Sequence, residues 1–209
     1  RRTVYPKEVG AVDIIGFVQA MHLRGLTVIG HSNGGLRALA AAGRAPDWFD
    51  HLVAIDSYPL FDDQIHPTEP EGLRGDRVYP DLETALSRYR LLPEQREACP
   101  WVVRHIARHS VRATEGGWTW KFDPDMPRGT ANEPDGPTLL SQVRCPVHYL
   151  YGGDSAIVSP ALARRIVAHL PRGIGPIVIP GGGHHLMFDQ PQALVGILQA
   201  LLARRGDTP

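Results

Sequence analysis

One stretch constrains the chain more than any other: Leu26-Thr27-Val28-Ile29-Gly30-His31-Ser32-Asn33-Gly34-Gly35-Leu36-Arg37-Ala38-Leu39-Ala40-Ala41-Ala42. A short apolar, β-branched run reads as a buried strand, glycines interrupt it, and an Ala/Leu-rich run of good helix propensity follows at once. Strand, sharp turn and helix are therefore expected in immediate succession. Gly30-x-Ser32-x-Gly34 falls in the turn. A side chain held in a strained backbone between strand and helix needs neighbours without a Cβ, so that chain and helix can pass close together. That geometry projects Ser32 Oγ above the carboxyl edge of the sheet. It also turns the Asn33 backbone N–H, at the helix N-terminus, toward the place where an oxyanion would develop.

Gly30-His31-Ser32-Asn33-Gly34-Gly35 resembles the nucleophile elbow of the α/β-hydrolase family. The resemblance implies a parallel sheet flanked by helices, and a chain order of nucleophile, acid, then histidine in the last loop of the sheet. It covers nearly the whole chain and is least specific between Leu60 and Ser141.

Size and charge set the remaining bounds. The chain has 209 residues, 43% hydrophobic and 21% charged, enough for one sizeable core. Net charge is zero and the pI is 7.3, so no electrostatic footprint selects nucleic acid or an anionic membrane surface. Cys99 and Cys145 lie far apart, each beside a proline and in no metal spacing, and read as reduced thiols. With no leader and no apolar run near the roughly 20 residues of a membrane helix, a cytoplasmic protein is expected.

In chain order, Arg1 to Pro6 reads as unstructured, and apolar residues from Val9 to Leu23 recur at helical spacing, giving a helix to about His22. In the resembled family this helix follows four strands, so the sequence is expected to lack the N-terminal part of the usual core. In the family's strand order the Leu26 to Gly30 strand lies mid-sheet. Its expected unpaired hydrophobic edge predicts self-association into a homo-oligomer. After the Ala-rich helix, His51-Leu52-Val53-Ala54-Ile55-Asp56 reads as the next parallel strand, ending in an acid.

From Leu60 prolines and charges multiply and no segment reads as a buried strand. Asp81 to Arg90 and Pro93 to Ser110 are expected helices, and Gly116 to Pro124 a turn with an aromatic extended arm. Residues 1–59 and 141–209 are thus the expected core and 60–140 a mainly helical cap insertion. Trp118 and Trp120 on that arm, with His31, are candidates for lining a substrate pocket. The alternative for the tryptophans is packing of the cap. His105 and His109 stand four apart, a spacing metal ligands can use, but no third ligand is near and no metal is expected.

Val147 to Tyr151 is the next strand, Ser159-Pro160 opens a helix to about Leu170, and Pro176 to Pro180 is the last strand. The loop Gly181-Gly182-Gly183-His184-His185-Leu186-Met187-Phe188-Asp189-Gln190-Pro191 follows, then a helix to about Arg204. Its place resembles the family's catalytic-histidine loop.

Nucleophilic catalysis by serine needs a base to take the hydroxyl proton and an acid that fixes the imidazole tautomer. Ser32 is the expected nucleophile. Gly183-His184 with Asp189 and Pro191 downstream matches the family pattern, which makes His184 the base rather than His185 and leaves Asp189 to cap the last helix. The family's usual acid follows the second-last strand as Gly-x-x-Asp, but counting from Gly152 that register lands on Ser155, and Asp154 is one residue early. Some members take the acid from the end of the strand after the nucleophile helix, where Asp56 stands. Asp56 is favoured and Asp154 is the alternative.

The reading is a serine hydrolase acting on a small-molecule carboxylic ester or related acyl substrate through an acyl-enzyme, with no cofactor. Ser32, His184 and Asp56 form the expected triad, and Asn33 N–H the oxyanion site. A non-catalytic ligand-binding relative and an inactive fragment are the competing readings.

Overall fold

A computed structural model describes residues 9–59, 61, 77–95, 98–122 and 136–206 of the chain. The elements in order are α1 (Val9–Ala20), β1 (Leu26–His31), α2 (Asn33–Arg44), β2 (Phe49–Ile55), α3 (Leu82–Leu86) and α4 (Pro100–His109). They continue with β3 (Val111–Thr114), β4 (Gly117–Trp120), α5 (Gly136–Ser141), β5 (Val147–Gly152), α6 (Pro160–His169), β6 (Gly173–Ile179), α7 (Leu186–Asp189) and α8 (Pro191–Gly206). The chain divides into two compact units, residues 6–66 with 129–209 and residues 1–5 with 67–128.

The larger unit holds a parallel sheet in the order β1-β2-β5-β6. Strands buried on both faces sort alternate side chains to opposite layers, and β2 does this cleanly. Leu52 and Ala54 pack in one apolar cluster with α2, Leu139 and Leu140 of α5, and Ile166 of α6. Val53 and Ile55 pack in the other, with Leu186 of α7 and Leu194 and Leu201 of α8. Helices therefore cover both faces, and each fully buried Leu or Ile contributes about 1.5–3 kcal/mol. Among the described residues β1 is an edge strand, and Ile29 on it is 41% exposed.

The smaller unit has its own apolar cluster of Tyr79, Ala85, Leu86, Ala107, Val111 and Trp120. It departs from the sequence expectation in three ways. The first expected helix closes early at Leu86, after its Asp81 N-cap accepts the Thr84 N–H at 2.8 Å. The second begins at Pro100 and not at Pro93, because Pro100 at the first helical position leaves Cys99 extended ahead of it. The expected arm is half of an antiparallel hairpin whose other strand, β3, was not anticipated. The end of that arm, Asp123-Pro124, lies outside the described residues, as do Arg1 to Pro6 and much of 60–140.

Candidate active site

The turn between β1 and α2 is as tight as its glycines suggest. Ser32 sits between strand and helix at φ 52°, ψ −125°, a conformation that costs a non-glycine residue about 1–3 kcal/mol. The fold holds it there: Ser32 N–H donates to the Ile55 carbonyl at 2.9 Å, and Leu36 N–H to the Ser32 carbonyl at 3.1 Å. Gly30 and Gly35 are the residues that permit the crossing. A Cβ on Gly30 would meet Gly35 Cα at 2.6 Å, and one on Gly35 would meet the Gly30 carbonyl oxygen at 2.7 Å and collide with Ser57 Oγ. Gly34, the second glycine of the motif, faces open space, so the close approach falls on the residue after it.

Asp56 follows β2 at the carboxyl end of the sheet, in the left-handed region at φ 46°. It is fully buried, and β5 with its following turn supplies most of its partners. Asp56 N–H donates to the Leu150 carbonyl at 2.8 Å. Gly152 N–H donates to Asp56 Oδ2 at 2.9 Å, and the Ser155 hydroxyl donates to Oδ1 at 2.7 Å.

His184 arrives from the loop between β6 and α7, which is fastened on both sides. Asp154 N–H donates to the Gly182 carbonyl at 2.9 Å, and Gly183 N–H donates to Asp189 Oδ2 at 2.7 Å. Asp189 therefore braces the histidine loop from the end of α7. A Cβ on Gly152 would collide with the Gly182 and Gly183 carbonyls, so this glycine lets the loop pass against β5.

These three elements bring Ser32, His184 and Asp56 together. His184 is 4% exposed; its Nδ1–H donates to Asp56 Oδ1 at 2.7 Å, and its Nε2 is 2.9 Å from Ser32 Oγ. A carboxylate can only accept, so the proton sits on Nδ1 and the Nε2 lone pair faces the serine hydroxyl. Both ring nitrogens are thereby engaged. Asp154, the alternative acid, is exposed in the turn after β5 and takes no part in these bonds.

His31 borders the same site. Its Nε2–H donates to the His184 carbonyl at 2.7 Å, and burial holds its pKa below the ordinary 6.5, favouring the neutral ring. Among the described residues His31, His184 and His185 are the group with three potential metal ligands, their ligand atoms within 4.8 Å of one another. His184 directs both nitrogens elsewhere, and His31 Nε2 is held by a carbonyl. His105 and His109 have ring centroids 4.7 Å apart in the smaller unit.

Asn33 opens α2, where its backbone N–H is among the first four that have no acceptor within the helix. Its side-chain Oδ1 accepts from Arg37 Nε at 3.0 Å. Trp118 and Trp120 lie on β4 in the smaller unit. Trp120 is 8% exposed and packs edge-on to Tyr79 at 6.1 Å between ring centroids, while Trp118 is half-buried against the same cluster. Sequence reasoning missed Ser155 and Gly152 as partners of Asp56. The displaced Gly-x-x-Asp register was the signal that pointed to that turn.

Comparison with known proteins bears on the family and the fold. Residues 3–197 match the model of a family described as "Alpha/beta hydrolase family". An esterase of Mycobacterium tuberculosis is 28% identical over 185 residues, 85% of this chain and 61% of that protein. An esterase of Escherichia coli is 25% identical over 197 residues, 92% of this chain and 73% of the relative. The solved structure of an E-2-(acetamidomethylene)succinate hydrolase has the same fold, with a TM-score of 0.78 at 22% identity, covering 96% of this chain and 75% of that one. The chain thus spans under two thirds of the mycobacterial relative's length. No described helix is long and apolar enough to cross a membrane.

Proposed function

The chain belongs to the alpha/beta hydrolase family, and from that premise we propose that it is a serine hydrolase that cleaves a small carboxylic ester or related acyl compound through an acyl-enzyme. The observation that carries the reading is the continuous path from Asp56 Oδ1 through His184 to Ser32 Oγ, in steps of 2.7 and 2.9 Å. It ends on a serine held at a strained elbow beside a helix N-terminus.

In this mechanism His184 Nε2 takes the Ser32 hydroxyl proton as Oγ bonds to the acyl carbon. The carbonyl electrons move onto oxygen, and the Asn33 N–H donates to that oxyanion. Collapse of the tetrahedral intermediate breaks the bond to the leaving alcohol, which receives its proton from His184. Water then attacks the acyl-serine with His184 again as base, releasing the acid and restoring Ser32. Asp56, fully buried, stabilises the imidazolium and fixes its tautomer. The residues present need no cofactor for these steps.

Residues 60–140 are the cap of this reading and residues 1–59 and 141–209 its core, with the separate apolar cluster of Tyr79 to Trp120 supporting a cap and the packing of Phe61, Leu139 and Leu140 with β2 drawing its bounds inward. His31, beside His184, is its pocket-lining candidate, and the packing of Trp118 and Trp120 with Tyr79 in the smaller unit's own cluster favours the alternative reading of those tryptophans. The test is rapid mixing with p-nitrophenyl acetate and p-nitrophenyl butyrate. A burst of nitrophenolate equal in amount to the chain, absent in Ser32→Ala, is expected. Steady release without dependence on Ser32 overturns the reading.

A further inference from the structure

Ser155 stands where the family's Gly-x-x-Asp register would place a carboxylate, and the structure gives its hydroxyl a single direction. A serine hydroxyl has two acceptor lone pairs and one proton. Ser155 Oγ accepts the N–H of Ile157 at 3.1 Å and the N–H of Val158 at 3.0 Å. Both lone pairs are used, and the one proton points to Asp56 Oδ1 at 2.7 Å.

That oxygen is the one that accepts from His184 Nδ1, whereas Oδ2 is taken by Gly152 N–H. Asp56 is fully buried, so water does not compete for the carboxylate, and its backbone stands at φ 46°, outside the common wells. The orientation of the carboxylate is therefore fixed by its neighbours on β5 and the turn after it. Gly152 contributes a main-chain donor that no substitution removes. Among the described residues Ser155 and His184 are the side chains that donate to this group.

We propose that Ser155 is a positioning residue: its hydroxyl, oriented by the Ile157 and Val158 amides, holds Asp56 Oδ1 in line with His184 Nδ1. This rests on the serine-hydrolase reading above. Ser155 touches neither substrate nor Ser32 and acts through Asp56. Loss of the hydroxyl frees the carboxylate to turn about its side-chain torsions and loosens the imidazole that depends on it, which lowers the rate of acylation and leaves substrate binding alone.

The experiment is the rate of reaction with a fluorophosphonate probe across pH, with kcat and KM for p-nitrophenyl butyrate. It compares wild type, Ser32→Ala, Ser155→Ala, Ser155→Thr, Asp56→Asn and the Asp56→Asn/Ser155→Ala pair. Ser155→Ala should slow labelling and kcat by about 10- to 100-fold, the worth of a hydrogen bond to a charged group, with KM little changed. Ser155→Thr, which keeps the hydroxyl, should return both to within about threefold. In the Asp56→Asn background Ser155→Ala should cost nothing more, because the group it positions is gone. If wild type does not label above Ser32→Ala, the hydrolase reading itself fails. If wild type labels but Ser155→Ala keeps its rate, or its loss adds fully to that of Asp56→Asn, the positioning role is overturned.

Discussion

His184 Nδ1 stands 2.7 Å from Asp56 Oδ1 across 128 residues of sequence, with the two side chains 4% and 0% exposed. The pairing ties the last loop of the sheet to the end of its second strand, and it sets which nitrogen of His184 faces Ser32.

Replacement of that carboxylate is the sharpest chemical test of the pairing. Asn at position 56 can present N–H to Nδ1 and select the wrong tautomer, so Asp56→Asn is expected to lower kcat for p-nitrophenyl butyrate by about 10³- to 10⁴-fold. Asp154→Asn, at an exposed position that shares no bond with His184, should change kcat by less than about twofold.

The elbow gives a stability prediction that separates adjacent glycines. Gly35→Ala forces a methyl against Ser57 and the Gly30 carbonyl, and overpacking of this kind costs about 1–3 kcal/mol or more. Gly34→Ala meets nothing in the folded state and removes a poor helix former from α2, so it should be neutral or stabilise by up to about 1 kcal/mol. Urea midpoints of the two variants against wild type decide it.

His31 makes stability depend on pH. Its folded pKa lies below 6.5 because burial disfavours the charged ring. The unfolded chain therefore takes up this proton at a higher pH than the folded one. The contribution is whole above about pH 6.5 and is lost progressively as pH falls below it. His31→Gln keeps a donor for the His184 carbonyl but does not titrate. Between about pH 7.5 and about pH 5.5 its urea midpoint should fall less than that of wild type. Equal falls would remove His31 from the account.

The edge of the sheet predicts association. β1 pairs on one side with β2 among the described residues, and an apolar edge strand is a template for a further strand. The 209-residue chain should elute from size-exclusion chromatography above its 23.0 kDa mass in a concentration-dependent way. Ile29→Lys, a charge on that edge, should shift it toward monomer. A wild-type monomer at all concentrations contradicts the prediction.

Features written in adjacent residues were legible, and those written in approaches between distant segments were not. The strand, turn and helix around Ser32 follow from local composition, as does α6, where the Ser159 hydroxyl accepts the Leu162 N–H at 3.2 Å ahead of Pro160. The parallel sheet flanked by helices was implied by the resemblance of Gly30 to Gly35 to the family's nucleophile elbow. The need for glycine at 35 comes from Ser57, which the chain delivers from the far side of β2, so the motif pointed at Gly34 instead. The role of Asp189 depends on a loop folding back to Gly183. Strand β3 escaped because only Val111 of its four residues is buried and no alternation marks it. Sequence favoured Asp56 but kept Asp154 as the alternative, because the choice depends on where β5 and the His184 loop lie relative to β2.

The most direct measurement is the intact mass of the chain after exposure to a fluorophosphonate probe, which bonds only to an activated serine. The account predicts a single adduct on wild type that maps to Ser32, and none on Ser32→Ala or His184→Ala. A folded wild-type chain that gains no adduct, or an adduct that persists in Ser32→Ala, contradicts it.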